Sequence, residues 1–374
     1  MPILKDLHLR MTSKCNFNCK HCYAADWFSE NHALDLKATR SLVDQAIELG
    51  CKKVTFTGGE PLVTKFTVPT MKYCTKKGLR VELESNGVLI DRMIDDCKDY
   101  LDKIEFAISY EGDDQREAKY SPKVLENIRL LVSLGCDVKL QTVITTINIK
   151  VADSIFELSK ELGTKHRAFL SHSPNGNATH LSLMALDQWL TFLQYVRKTY
   201  PHVIVELPDL FSGGAHKKCG WGVHRCEIMP NGDVTSCGPI TFNHRHFIAG
   251  NIYKQPLEEI WNSPHFSAIR NLKQKDFDTL CGKCPYWTTC LGACRSISYA
   301  SEGKLLSPHP FCASFYRALK DNTLKPELVA TVARAKEWFE AVDLENPALA
   351  KGTWQKYNEL MNTPIFDQNI EWKS

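Results

Sequence analysis

The sequence predicts an α/β fold: a barrel of six parallel strands alternating with helices, then a small cysteine-rich domain and a short helical tail. Three observations carry that reading. Short runs rich in Val, Ile, Leu and Phe recur through the first 180 residues, as KDLHLRM, KKVTFT, GLRVELE, KIEFAIS, DVKLQTVIT and HRAFLS, each the length of a strand. Between them apolar residues return at helical spacing: Leu36, Val43 and Ile47; Val124, Ile128 and Leu131; Val151, Ile155, Leu158 and Leu162. From residue 213 to 320 that rhythm gives way to crowded Gly, Pro and Cys. Strand and helix in alternation pair in parallel through right-handed crossovers, closed or partly closed as a barrel. The loops at the C-terminal strand ends of such a barrel carry its chemistry.

Four parts follow in order. Residues 1–180 form the barrel, and 181–212, around LDQWLTFLQYVRKTY, a helical bridge. Residues 213–320 form a metal-stapled domain. In the tail, 321–374, Leu328, Val332, Ala335, Phe339 and Val342 mark one amphipathic helix, and Trp354, Tyr357 and Leu360 a shorter one. A chain of 374 residues, 43% hydrophobic and 24% charged, suffices for one large core and one smaller one. A formal net charge of +3 without long Lys/Arg runs gives no footing for nucleic acid or a polybasic anchor. No apolar signal segment precedes the first strand and no 18 apolar residues run together, so a cytoplasmic protein without membrane contact is expected.

In a reducing compartment, fifteen cysteines serve metal or catalysis better than disulfides. Cys51, Cys74, Cys97 and Cys136 sit singly within helix or strand patterns and read as small core residues. The others cluster. Cys15, Cys19 and Cys22 lie in SKCNFNCKHCYA behind the first strand; Cys219, Cys226 and Cys237 open the second domain; Cys281, Cys284, Cys290 and Cys294 follow in CGKCPYWTTCLGAC, and then Cys312. The eight later thiols suffice for two four-ligand sites of zinc or of iron and sulfur. Three thiolates on a cubane cluster leave one iron open to another ligand, whereas a zinc site would need His21 or His32 as its fourth.

These residues resemble the radical S-adenosylmethionine (SAM) enzymes. Cys15, Cys19 and Cys22 match the family's CxxxCxxC motif, with His21 in its aromatic slot. TGGEP, residues 57–61, matches its second signature, which implies that Gly58, Gly59, Glu60 and Pro61 bind the methionine amino group of SAM. Ser85 and Asn86 in SNG, and Ser109 after the fourth strand, fall where the family makes further SAM contacts. The second domain resembles the SPASM extension of a subset of these enzymes, through Cys219, Gly232 and Cys237, then GNIYKQPLEEIW, then Cys281 to Cys312. Together the matches span about residues 7–315. The resemblance implies a partial (β/α)6 TIM-like barrel that binds SAM, and three 4Fe-4S clusters. One would be held by Cys15, Cys19 and Cys22, an auxiliary one by Cys219, Cys226, Cys237 and Cys294, and another by Cys281, Cys284, Cys290 and Cys312.

The resemblance also implies an activity: reductive cleavage of SAM to a 5'-deoxyadenosyl radical, removal of hydrogen from an unactivated C–H bond, and oxidation or cross-linking of the substrate. A reductant such as flavodoxin or ferredoxin would supply the electron, and the auxiliary clusters would relay the one recovered. The general base is unassigned. The sulfatase-maturing branch places an Asp directly after the third auxiliary cysteine, where this chain has Gly238, which argues against that chemistry. Candidates are His224, His244, His246, Asp209 and Asp233, with Cys226 a hydrogen-atom donor if it ligates no cluster. The expected substrate is a ribosomally made peptide. Its leader would dock directly or use a separate partner, since the first strand begins within ten residues of the N-terminus. The alternatives are a dehydrogenase or epimerase of a small molecule (sugar, aminocyclitol or tetrapyrrole) and a non-enzymatic electron carrier, which would not need GGEP or the three-thiol loop.

Overall fold

Six strands stand where the apolar runs put them: β1 (Asp6–Arg10), β2 (Lys53–Thr57), β3 (Arg80–Ser85), β4 (Ile104–Ser109), β5 (Asp137–Val143) and β6 (Lys165–Phe169). The computed structural model describes residues 2–113, 121–170, 176–180, 184–212, 220, 222–241, 245–277 and 280–342. Neighbouring strands pair in parallel from β1 to β6. Between them run α1 (Leu36–Glu48), α2 (Thr67–Lys76), α3 (Asp91–Cys97), α4 (Ser121–Ser133) and α5 (Ala152–Glu161). Asp35 starts α1 by accepting the Ala38 N–H at 2.8 Å, a cap that satisfies one of the helix's free donors.

The alternation does not stop at residue 180. α6 (Leu186–Thr199) leads into β7 (Val203–Glu206), which adds in parallel to β6. At the other edge β8 (Arg225–Ile228) pairs in parallel with β1, and β9 (Asp233–Thr235) and β10 (Ile248–Asn251) follow antiparallel. One ten-stranded sheet results, ordered β10-β9-β8-β1-β2-β3-β4-β5-β6-β7. The first strands of the cysteine-rich region therefore extend the barrel sheet.

Strand alternation divides the residues of this sheet between two faces. Leu7, Leu9, Val54, Phe56, Leu83 and Phe106 turn outward and are buried under the helices with Cys51, Cys74 and Cys97, while Cys136 is half-buried at that layer's edge. Asp6, His8, Lys53, Glu82, Glu105 and Lys139 turn inward and line a cavity. A second core joins α6 to the C-terminal helices: Trp189 stacks on Phe311 with ring centres 4.5 Å apart, and Phe315 and Trp338 are fully buried. The tail's single amphipathic helix is instead two short ones, Pro326–Val329 and Ala335–Val342, with Arg334 left-handed between them at φ 59°. Trp354, Tyr357 and Leu360 lie outside the described residues. Among the described residues no helix is long and apolar enough to cross a membrane.

Candidate active site and cluster sites

The loop of Cys15, Cys19 and Cys22 leaves β1 and is held from three sides. Asn177 donates its side-chain amide to Cys19 O and its main-chain N–H to Cys22 O, both at 2.9 Å. Asn86 reaches Asn16 Oδ1 at 2.7 Å. The GGEP turn closes against the loop's base, with Gly59 N donating to Thr12 O and Glu60 N to Lys14 O, each at 2.8 Å. A Cβ at Gly59 would lie 2.2 Å from Lys14 O, so the turn can approach this closely only without a side chain.

Around the thiols opens a cavity of about 730 Å³ whose wall includes Gly58, Gly59, Ser85, Asn86, Ser109 and His21. Glu60 and Pro61 stand behind that wall. Glu60 is fully buried and accepts from Leu62 N, Ser85 Oγ and Asn86 N at 2.8 to 3.0 Å; it ties the GGEP turn to the SNG turn, so the main chain of Gly58 and Gly59 is what faces the cavity. His21 lies 3.6 Å from buried Glu111. His32, the other imidazole considered for zinc, sits half-exposed 3.7 Å from Glu30. Deeper in the barrel the wall is charged. Glu82 takes Lys53 and Lys139, Lys139 also reaches Glu105 at 2.9 Å, and Arg167 Nε reaches Glu206 at 2.7 Å. Burial alone would raise Glu82, but Lys139 and Lys53 hold its carboxyl well below the ordinary range.

Of the later cysteines, four line one pocket, Cys294 lines the main cavity, and Cys226 lies apart from both. Cys281, Cys284, Cys290 and Cys312 line a single pocket walled by Leu210, Leu280, Trp287 and Trp338. The indole N–H of Trp338 donates to Cys284 Sγ at 3.3 Å. Burial pushes the Cys290 thiol up to about 12, and Cys312 is raised by burial and by the three other thiols. Burial raises Cys284 as well, and four thiols lining one apolar pocket are a donor set that fits a cationic iron-sulfur cluster. Among the described residues no three His, Cys, Asp or Glu side chains converge as around one metal ion; the thiols are spread around cavities. Cys294 lines the main cavity along with the three-cysteine loop, as do Gly220, next to Cys219, and Pro239, two residues beyond Cys237. Cys219 itself lies outside the described residues.

Cys226, counted from spacing with the auxiliary ligands, lies apart from the thiols of both cavities. It sits on β8 opposite Leu7, fully buried in the outer apolar layer near Cys51. Its neighbours Arg225 and Glu227 turn inward, so its thiol points away from the cavity. Among the candidate bases, His224 lines the cavity. Asp209 does not reach it; fully buried, it packs beside Cys290 and accepts from Ser212 Oγ at 3.3 Å. Asp233 is spent in its turn, accepting from Asn231 and Asn251 at 2.8 and 2.9 Å. His244 lies outside the described residues, as does the side chain of His246. Sequence reasoning missed Arg10, Tyr23 and Glu227, which join the loops of this site; inward polar positions on β1 and β8 were their signal.

The radical SAM superfamily model matches residues 9–158, and the model of the SPASM iron-sulfur cluster-binding domain matches residues 219–285. An AdoMet-dependent heme synthase of Nitratidesulfovibrio vulgaris is 26% identical over 83% of this chain and 93% of its own length. The mycofactocin maturase MftC of Mycobacterium ulcerans is also 26% identical, over 82% of this chain and 87% of its own. Among solved structures, Streptococcus suis SuiB bound to its precursor peptide SuiA superposes with a TM-score of 0.68 at 16% identity, covering 83% of this chain and 75% of that one.

Proposed function

The chain belongs to the radical SAM superfamily and carries a SPASM domain, and from that premise we propose that it oxidises or cross-links a ribosomally made peptide. One observation carries the reading. The three loop thiols, the main chain of Gly58 and Gly59, and Cys294 of the second domain line one cavity, of a volume usual for small-molecule sites. When bound, SAM and its cluster supply a 5'-deoxyadenosyl radical. The chain's own part is to hold and shield. Cys15, Cys19 and Cys22 ligate the cluster; Gly58 and Gly59 offer main-chain groups to the methionine end of SAM; Ser85, Asn86 and Ser109 line the rest of its bed, and His21 borders it. Closing such a site against water protects a radical from side reactions.

Cys281, Cys284, Cys290 and Cys312 hold a closed auxiliary cluster. Cys219, Cys237 and Cys294 hold the other, and since Cys226 faces away, one of its irons lacks a protein thiolate. The mycofactocin maturase relatives, and a fold shared with an enzyme solved with its precursor peptide, support the peptide. A reductant such as flavodoxin or ferredoxin delivers the electron, and a leader is held by direct docking or by a separate protein. The heme synthase relatives favour one second reading, oxidation of a tetrapyrrole side chain.

The test is anaerobic iron and sulfide content with 5'-deoxyadenosine formation. About twelve irons in the wild type, falling to about eight when Cys15, Cys19 and Cys22 are all replaced by Ala, is the expected result, with SAM cleavage by the wild type alone. Zinc, or a single cluster, sinks the reading. Loss of hydrogen from an iron porphyrin bearing propionates, and not from a peptide encoded beside the gene, transfers it to the second.

A further inference from the structure

Two loops distant in the chain, one carrying Cys22 and the other Cys237, are joined by a buried ion pair. Arg10, at the end of β1, donates from Nη2 to the Tyr23 hydroxyl at 2.8 Å and from Nη1 to Gly58 O at 3.5 Å. Its Nε donates to Glu227 Oε1 on β8, and Glu227 Oε2 accepts the Gly238 N–H at 2.6 Å. Tyr23 follows Cys22 directly, and Gly238 follows Cys237. One guanidinium thus touches the three-cysteine loop, the GGEP turn and, through one carboxylate, the auxiliary cysteine turn.

The carboxylate also accounts for the glycine after Cys237. A Cβ at Gly238 would lie 2.4 Å from Glu227 Oε1 and 2.7 Å from Arg10 Nε. Glu227 occupies the space into which a side chain at 238 would project. Arg10 and Glu227 are only 5% and 7% exposed, and a pair taken so far out of water gains little net stability from its attraction. What such a pair supplies is a fixed arrangement and a fixed charge.

Resting on the cluster reading above, we propose that Arg10 and Glu227 link the loop of the SAM-binding cluster to that of the Cys237 cluster, fixing their relative position and setting the charge beside Cys237. Both are positioning residues. Glu227 is the nearer charge, since it accepts the amide next to Cys237, and charge and hydrogen bonds around an iron-sulfur cluster set its potential.

Glu227→Gln keeps the shape and removes the negative charge while Arg10 stays. In an EPR-monitored redox titration of the reconstituted enzyme, the potential of the Cys237 cluster shifts positive. The double variant Arg10→Gln/Glu227→Gln removes both charges and brings the potential back toward the wild type. A role in packing alone gives the reverse order, with the double variant the more disturbed. An unchanged potential in iron-replete Glu227→Gln protein, or a double variant further from wild type than the single, overturns the link. Should Glu227→Gln not hold iron, Gly238→Ala decides: it displaces Glu227, and the EPR signal of the SAM-bound cluster on Cys15, Cys19 and Cys22 changes if the link exists and stays as it was if it does not. Wild-type protein without auxiliary iron overturns the cluster reading instead, and iron analysis shows that before any variant is made.

Discussion

The three thiols after β1 open on a cavity of about 730 Å³ lined by main-chain glycine, amide and hydroxyl groups and, deeper, by ion pairs, whereas the four of the second domain face one another across a pocket walled by Leu210, Leu280, Trp287 and Trp338. The same side chain serves both. What differs is the company: a ligand set short by one in a roomy polar wall can take a substrate or cofactor, while a complete set in an apolar wall leaves no position for one. Replacing one thiolate in each tests that contrast most severely. Cys22→Ala removes about four irons and abolishes 5'-deoxyadenosine formation, whereas Cys312→Ala also removes about four irons yet leaves slow, substrate-free cleavage of SAM. Equal loss of cleavage in both variants breaks the contrast.

The charged wall of the open region is the next place to press. Glu82 is buried between Lys53 and Lys139, and removing one partner of such a pair costs about 3 to 5 kcal/mol because the remaining charges stay buried. Glu82→Gln should lower the urea midpoint accordingly at pH 7. The sign with pH follows from the lowered carboxyl: its contribution is complete above its ordinary value of 4.5 and is lost as pH falls through about 2 in the folded chain. Wild type and variant therefore approach each other in acid, and a gap that stays constant from pH 7 to pH 3 would contradict the assignment. Cys226 gives a smaller effect of another kind. Cys226→Ala trims a packed outer layer by one sulfur, costs about 1 kcal/mol, and leaves iron content intact; loss of about four irons would restore it as a ligand.

The residues that were legible in the sequence were those whose signal is local. Six strands announced themselves by apolar runs, and two thiol groups by spacing. β7 and β8 did not, because VIVE and RCEI are four residues each and gain their place only from parallel partners elsewhere in the chain. Spacing groups Cys226 with the other thiols because it does not say which way a side chain faces. The alternation of Arg225, Cys226, Glu227 and Ile228 does say it, since two inward charges flanking a thiol put it on the other side of the sheet. Arg10 and Glu227 are 217 residues apart, a juxtaposition that no local pattern carries. The tail is legible as amphipathic but not as broken, because nothing in its apolar spacing marks the left-handed residue at Arg334.

The tail's packing yields the subtlest difference between the two regions. Trp338 brings its indole N–H to Cys284 Sγ at 3.3 Å while its ring lies 6.0 Å from that of Phe315, so under the proposed cluster assignment the tail helix bears on that pocket's electronics as well as covering it. Trp338→Phe keeps an aromatic ring in place and deletes the donor. The hydrogen bond itself is worth roughly 1 kcal/mol to the fold, too little to dislodge a cluster held by four thiolates. Its effect belongs in the potential: an N–H donated to a thiolate stabilises the more negative, reduced state, so in the Phe variant that cluster becomes harder to reduce while the SAM-bound cluster's EPR signal is unaltered. A second auxiliary potential identical to the wild type would leave the tail as packing alone, and the dry pocket would then owe its redox character only to burial.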